Sequence, residues 1–240
     1  MHLRIVFQGS VPKDDGPEAT NDDCYAGNES SQRFAVTDGA SESYDSARWS
    51  RLLADAWVTG GAVVSRAGLK TLIREYEAAC DPQSLSWSKR GAFERGSFAT
   101  LLGVSTRGDI ARIAAFGDSI VVGFPVDGAT QSFPYSLAEE FDRRPLLLST
   151  KADANEAVLQ RLSVRTCLTS WPLVPGTTLL LMTDALGQWV LRRNADAATR
   201  DLLRAIKTCE ELQAFVRAER AGGAMRRDDT TLVHLQAEAP

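Results

Sequence analysis

Apolar and polar residues alternate along Leu3-Arg4-Ile5-Val6-Phe7-Gln8, which predicts an opening strand. Residues 9–20 are rich in Gly, Pro and Asp and read as a loop. Residues 33–37 form a short apolar run that stops at Asp38-Gly39, the pattern of a buried strand ending in a turn. From 45 to 65 the period changes. Trp49, Leu52, Leu53, Ala56 and Trp57 fall at helical spacing, and Gly60-Gly61 weakens the helix they predict. Leu69, Leu72, Ile73 and Tyr76 repeat the spacing over 69–80, and Asp81-Pro82 stops it. A short helix is predicted over 84–95. The period then returns to two. Residues 97–104, 110–116 and 120–124 read as three strands of an antiparallel meander, joined by turns at 105–109 and Gly117-Asp118-Ser119.

Residues 125–152, with three prolines and few periodic apolar positions, read as an irregular excursion. An excursion of that length in a compact chain suits a substrate-facing surface, and equally a variable surface loop. A helix over 153–163 follows, then a second buried strand at 177–183 that runs into Asp184. Helices over 187–220 break near Asn194 and Thr208-Cys209, and 230–235 is a last strand. Strands cluster and helices cluster. That order predicts an α+β fold of antiparallel sheets covered by helices, in one domain over 1–240.

Composition narrows the function. A net charge of -4 and a pI near 5.3 disfavour nucleic acid as the main partner. No apolar run nears the roughly 20 residues that cross a bilayer, so no membrane partner is expected. Cys24, Cys80, Cys167 and Cys209 are irregularly spaced, which predicts reduced thiols in a cytoplasmic protein and argues against a zinc ribbon. The only histidines are His2 and His234, a poor supply for His-activated nucleophiles.

Aspartates remain as candidate chemistry. Two buried strands each deliver one at the carboxyl end, Asp38 and Asp184, and acidic pairs Asp22-Asp23 and Asp228-Asp229 flank other strand-like runs. Each alone reads as a turn or a solvated charge. Converging carboxylates would repel one another unless a cation lay between them, and carboxylate oxygens suit Mg²⁺ and Mn²⁺.

In order and spacing these blocks resemble the metal-dependent serine/threonine protein phosphatases of the PP2C type, above all compact bacterial members. The resemblance spans about residues 5–236. Its carriers are Asn21-Asp22-Asp23-Cys24, Phe34 to Gly39, Gly96-Ser97-Phe98-Ala99-Thr100, Gly117-Asp118-Ser119-Ile120, Thr183-Asp184-Ala185-Leu186 and Asp228-Asp229-Thr230-Thr231. The resemblance implies a four-layer α/β/β/α sandwich of two antiparallel sheets flanked by helices. It implies two Mn²⁺ or Mg²⁺ ions. Asp38 would bridge them, with the Gly39 carbonyl, Asp184 and Asp228 completing the set, and Asp22 would reach the second ion directly or through water. Asp118 matches the ligand of a third, weaker ion. Asp38, Asp184 and Asp228 would then carry catalysis: hydrolysis of phosphoserine or phosphothreonine in a phosphorylated protein substrate, opposing a Ser/Thr kinase. Alternatives are a pseudophosphatase used as a binding or regulatory module, and a small-molecule phosphohydrolase.

The sequence also departs from that pattern. Ala40 stands where the family often has His, Ala185 where it has Gly, and Ile120 where it has Arg. The stretch 16–20, where a phosphate-gripping Arg is usual, reads Gly-Pro-Glu-Ala-Thr.

Overall fold

The computed structural model describes residues 1–16, 18–60, 63–163 and 166–239. Pro17 and Gly61, which belong to the loop and the helix break read above, lie outside the described residues.

Two five-stranded antiparallel sheets form the centre. One runs β1 (His2–Val11), β12 (Thr230–Glu238), β11 (Thr178–Met182), β7 (Ile120–Phe124) and β8 (Gln131–Phe133). The other runs β10 (Leu168–Pro172), β6 (Ile110–Phe116), β5 (Leu101–Arg107), β3 (Arg33–Thr37) and β2 (Cys24–Asn28). A separate short pair joins β4 (Phe98–Ala99) to β9 (Leu148–Ser149). Among the described residues seven helices accompany them: α1 (Ser46–Val58), α2 (Arg66–Ala78), α3 (Trp87–Arg95), α4 (Glu156–Ser163), α5 (Asp184–Arg192), α6 (Ala197–Ala205) and α7 (Cys209–Ala221).

Side-chain burial sorts into three apolar layers. Between the sheets lie Leu3, Phe34, Val36, Leu102, Ile113, Val121, Leu181 and Val233. Outside the second sheet, Trp49, Leu53, Leu69 and Tyr76 of α1 and α2 cover Ala35, Leu101 and Phe116. Outside the first, Leu186, Trp189, Leu203, Leu212 and Val216 of α5, α6 and α7 cover Val122, Leu180 and Leu232. Three interfaces between four layers give the α/β/β/α sandwich. Each fully buried leucine or phenylalanine contributes about 1.5–3 kcal/mol.

Local chemistry sets the helix starts. The Ser65 hydroxyl accepts the Gly68 N–H at 3.0 Å, and Asp196 accepts the Thr199 N–H at 2.7 Å. Thr208 and Glu211 satisfy each other's backbone N–H groups at the head of α7, a capping box.

Beyond shifted strand ends, with β1 running to Val11 and the strand read at 97–104 divided into β4 and β5, the strands depart from the sequence reading in two further ways. Residues 97–124 are not one meander. β5 and β6 form the hairpin, but β7 leaves it and pairs with β11 and β8 in the opposite sheet. The turn at Gly117-Asp118-Ser119 is therefore the crossover between sheets. β10 was not predicted, because Leu168-Thr169-Ser170-Trp171-Pro172 carries too few apolar residues. It is an edge strand, where a proline costs no ladder bond. The excursion 125–152 contains the short β8 and β9, a 3₁₀ turn over Ala138–Asp142 and the first residue of another over Ala152–Asn155. All four cysteines are free. No helix among the described residues is long and apolar enough to cross a membrane.

Registers bring four chain segments to one end of the sandwich. Met182, at the end of β11, faces Ile120 at the start of β7 and Leu232 near the start of β12. Leu101, at the start of β5, faces Phe116 at the end of β6. Asp38 follows the end of β3, Asp118 lies in the turn between β6 and β7, Asp184 follows the end of β11 and Asp228 precedes β12.

Candidate metal centre

Asp38 leaves the end of β3. Its N–H donates to the Thr100 hydroxyl at 2.8 Å, and its carbonyl accepts the Thr100 N–H at 2.8 Å. Thr100 in turn shares a hydrogen bond of 2.6 Å with Ser119. One threonine thus fixes the Asp38 backbone and ties it to the turn that carries Asp118. That turn needs Gly117, whose φ is +100° and whose missing Cβ would lie 2.6 Å from Thr100 Cγ2. Asp184 is the first residue of α5, so its carboxylate sits at the helix N-terminus while β11 anchors the chain behind it.

Carboxylate oxygens of Asp38, Asp118 and Asp184 lie within 4.8 Å of one another. Asp118 and Asp184 are only 7% and 8% exposed, so water screens this cluster poorly. Burial raises the Asp38 pKa well above the usual carboxylate range. Asp23, Asp118 and Asp228 push the same way, and Arg226 opposes them. Burial also raises Asp118, against its own backbone N–H and Arg226. Asp184 Oδ1 is buried with no hydrogen-bond partner. An all-oxygen set, crowded, desolvated and partly unpartnered, fits a hard divalent cation.

Asp22, Gly39 and Asp228 surround the cluster without joining it. Asp22 Oδ1 accepts from Ser46 Oγ at 2.9 Å, and Lys13 Nζ lies 3.5 Å from its Oδ2. The Gly39 N–H donates to the Asp22 carbonyl at 3.1 Å, and a Cβ on Gly39 would come within 2.9 Å of that oxygen. Asp228 Oδ1 accepts the Asp229 N–H at 3.0 Å, and its charge reaches both Asp38 and Asp118.

Three residues matter here to which the sequence reading gave no role. Asp229 accepts the Lys13 N–H at 2.6 Å and the Asp22 N–H at 2.7 Å, holding the loop before β2 in place. Asp23 is buried, and its Oδ2 accepts from Thr183 Oγ1 at 2.9 Å and Thr231 Oγ1 at 2.7 Å. Burial, opposed by those hydroxyls, pushes its pKa up to about 8. Arg226 forms an ion pair with Asp184. The signal for Asp23 and Asp229 was present, since each is the second member of an acidic pair beside an apolar run. Arg226 sits in an Arg-Arg-Asp-Asp run that resembles a solvated charge cluster.

Beside Gly117 a cleft of about 450 Å³ opens, lined by Tyr135, Glu140, Arg143, Arg144 and Arg161 among others. The excursion supplies most of these side chains. Glu18 is exposed.

No family model matches the sequence, and no curated protein matches it. Solved structures do match in shape. The catalytic domain of the serine/threonine phosphatase PstP, in complex with two manganese ions, superposes with a TM-score of 0.63 at 18% identity, covering 99% of both chains. PppA, a regulatory component of the type VI secretion system in Pseudomonas aeruginosa, gives 0.59 at 18% identity, over 99% of this chain and 98% of its own. The photosystem II phosphatase PBCP gives 0.58 at 17%, over 99% of this chain and 100% of its own. The chain has the fold of the PP2C-type serine/threonine phosphatases.

Proposed function

We propose that the protein is a Mn²⁺- or Mg²⁺-dependent phosphatase acting on phosphoserine or phosphothreonine in proteins. The observation that carries this reading is the meeting of Asp38, Asp118 and Asp184 within 4.8 Å, from three separate elements, at one end of a fold shared with manganese phosphatases. Asp38 and Asp184 would hold the ions, with the Gly39 carbonyl and Asp228 completing the set, Asp22 beside it and Asp118 on a weaker ion. Bound divalent ions supply a water of lowered pKa and offset phosphate charge. The chain's own part is positional. Thr100 fixes the Asp38 backbone, Asp229 fixes the loop that carries Asp22, and burial keeps the carboxylates dry so that they bind cations strongly. No protein nucleophile is needed, which accords with the scarcity of histidine. The arginine-lined cleft beside Gly117 suits an acidic stretch of a protein substrate, one made by a Ser/Thr kinase.

The test is Mn²⁺-dependent phosphate release from a phosphopeptide library, with Asp38→Asn as control. Release by the wild type and none by the variant is the expected result. The pseudophosphatase reading draws support from the Arg226–Asp184 ion pair and from the lack of a basic residue in 16–20. Mn²⁺ binding without turnover of any phosphopeptide would select it. Turnover of phosphorylated metabolites alone would select a small-molecule phosphohydrolase.

A further inference from the structure

We propose that Arg226 grips the substrate phosphate, from the loop between α7 and β12. This rests on the phosphatase reading above. Residues 16–20 contribute no cation, and Glu18 there is exposed, so a phosphate at the carboxylate cluster needs a positive group from elsewhere.

Arg226 is placed for that task. One of its terminal nitrogens pairs with Oδ2 of Asp184, a member of the carboxylate cluster. Its guanidinium therefore lies over the cluster rather than in open solvent, with 34% of the side chain exposed. Its Nε is buried and has no hydrogen-bond partner. A planar fork with an unused donor, beside crowded carboxylates, can offer two charge-assisted hydrogen bonds to a phosphate.

The loop holding it is fixed on both sides. Arg220 donates to the Asp228 carbonyl and, at 3.0 Å, to Thr230 Oγ1. Arg227 donates to the Lys13 carbonyl at 3.1 Å and to Asp14 at 2.7 Å, and Met225 is buried. Backbone placement is thus secured by Arg226's neighbours, and its own side chain is left to the site. Once Asp184 is committed to an ion, Arg226 loses its carboxylate partner and keeps its position. Lys13, the other cation on the rim, is already engaged. Its Nζ donates to Ser41 Oγ at 2.6 Å and lies 3.5 Å from Asp22 Oδ2.

The rival account makes Arg226 a counter-ion only, offsetting carboxylate repulsion until a metal replaces it. Calorimetry on the full chain separates the two. Mn²⁺ is titrated first, then inorganic phosphate into the Mn²⁺-loaded protein, for wild type, Arg226→Gln, Arg226→Lys and Lys13→Gln. KM and kcat for p-nitrophenyl phosphate are measured alongside. Arg226→Gln should weaken phosphate binding about tenfold and raise KM to match, with Mn²⁺ affinity unchanged or tighter. Arg226→Lys should recover part of the loss. The proposal is overturned if Arg226→Gln tightens Mn²⁺ but leaves phosphate affinity and KM unmoved, or if Lys13→Gln alone carries the phosphate defect. Absence of any turnover in wild type sinks the hydrolase reading instead, and the phosphate titration still decides Arg226.

Discussion

Asp38→Asn should stabilise the metal-free protein while removing its response to metal. Two unit charges 4.8 Å apart, the limit of the cluster, repel by about 3.5 kcal/mol at an effective dielectric constant near 20. That cost has a ceiling, because the carboxyl can take up a proton instead. For a group with an unfolded pKa near 3.9, about three pH units below neutrality, the ceiling at pH 7 is roughly 4 kcal/mol. Attraction to Arg226 offsets part of the repulsion, so the expected gain for Asp38→Asn in EDTA is about 2 kcal/mol. For a chain of this size that is a Tm rise of about 4–8 °C. The sign follows from the raised pKa of Asp38. Its folded state holds the proton more tightly than its unfolded state, so wild-type stability is complete below pH ~4 and falls as pH rises towards the folded pKa. The variant's advantage should therefore vanish near pH 4 and grow towards pH 7. With Mn²⁺ at a hundredfold excess over its Kd the order reverses, since wild type gains about 2.7 kcal/mol and the variant almost none. Thermal melts by circular dichroism at pH 4, 5.5 and 7, with EDTA or Mn²⁺, measure all of this. An Asp38→Asn protein that melts below wild type in EDTA at pH 7, or that responds to Mn²⁺ as wild type does, refutes the reasoning.

Asp184→Ala should abolish Mn²⁺-dependent phosphate release, whereas Asp118→Ala should only reduce it; equal losses in a phosphopeptide assay would contradict the weaker role given to Asp118. His234 is 1% exposed with neither ring nitrogen bonded, and burial first, then Lys207, Arg204 and Arg4, lowers its pKa to about 4. Native stability attributable to it is full above pH ~6.5 and is lost as pH falls towards 4, by about 1.4 kcal/mol per unit. His234→Leu should flatten the fall in Tm between pH 7 and 5, and an unchanged slope would count against a buried neutral imidazole. Gly103→Ala would place a Cβ 2.3 Å from Trp57 Cε2, so urea unfolding should show a loss of about 1–3 kcal/mol; a loss below ~0.5 kcal/mol would mean that α1 moves aside freely. Glu18→Arg should leave KM unchanged, because Glu18 is exposed, and a tenfold fall would return phosphate capture to the 16–20 loop.

Much of the fold was legible because period and burial agree. The 3.6-residue pattern of Trp49, Leu53 and Trp57 became α1, and the unbroken apolar run Thr178–Met182 became a central strand buried on both faces. What remained hidden was pairing. Nothing in Ile120–Phe124 says that it joins β11 rather than β6, since a fully buried strand carries no facial preference. The strand-tip aspartates Asp38 and Asp184 were legible for the same reason, as polar residues that stop buried apolar runs. Arg226 was not, and neither were the roles of Asp23 and Asp229 within their acidic pairs. Their importance comes from partners more than a hundred residues away, or from a loop whose course no local period fixes, as with Asp23 meeting Thr183 and Thr231.

That last contact has a mechanical consequence. Asp23 precedes β2 of one sheet, while Thr183 and Thr231 belong to the other, and Asp38 and Asp184 repeat the same division across the cluster. At this end the sandwich is sewn shut by the two hydroxyls that donate to Asp23 Oδ2 and, when loaded, by cations, whereas the interior between the sheets is packed with apolar side chains. Stripping the ions should therefore let one end breathe. Amide hydrogen exchange should quicken at Thr37, Thr183 and Thr231 and leave the middle of β5 and β11 slow, like a book whose clasp is undone while the spine stays glued.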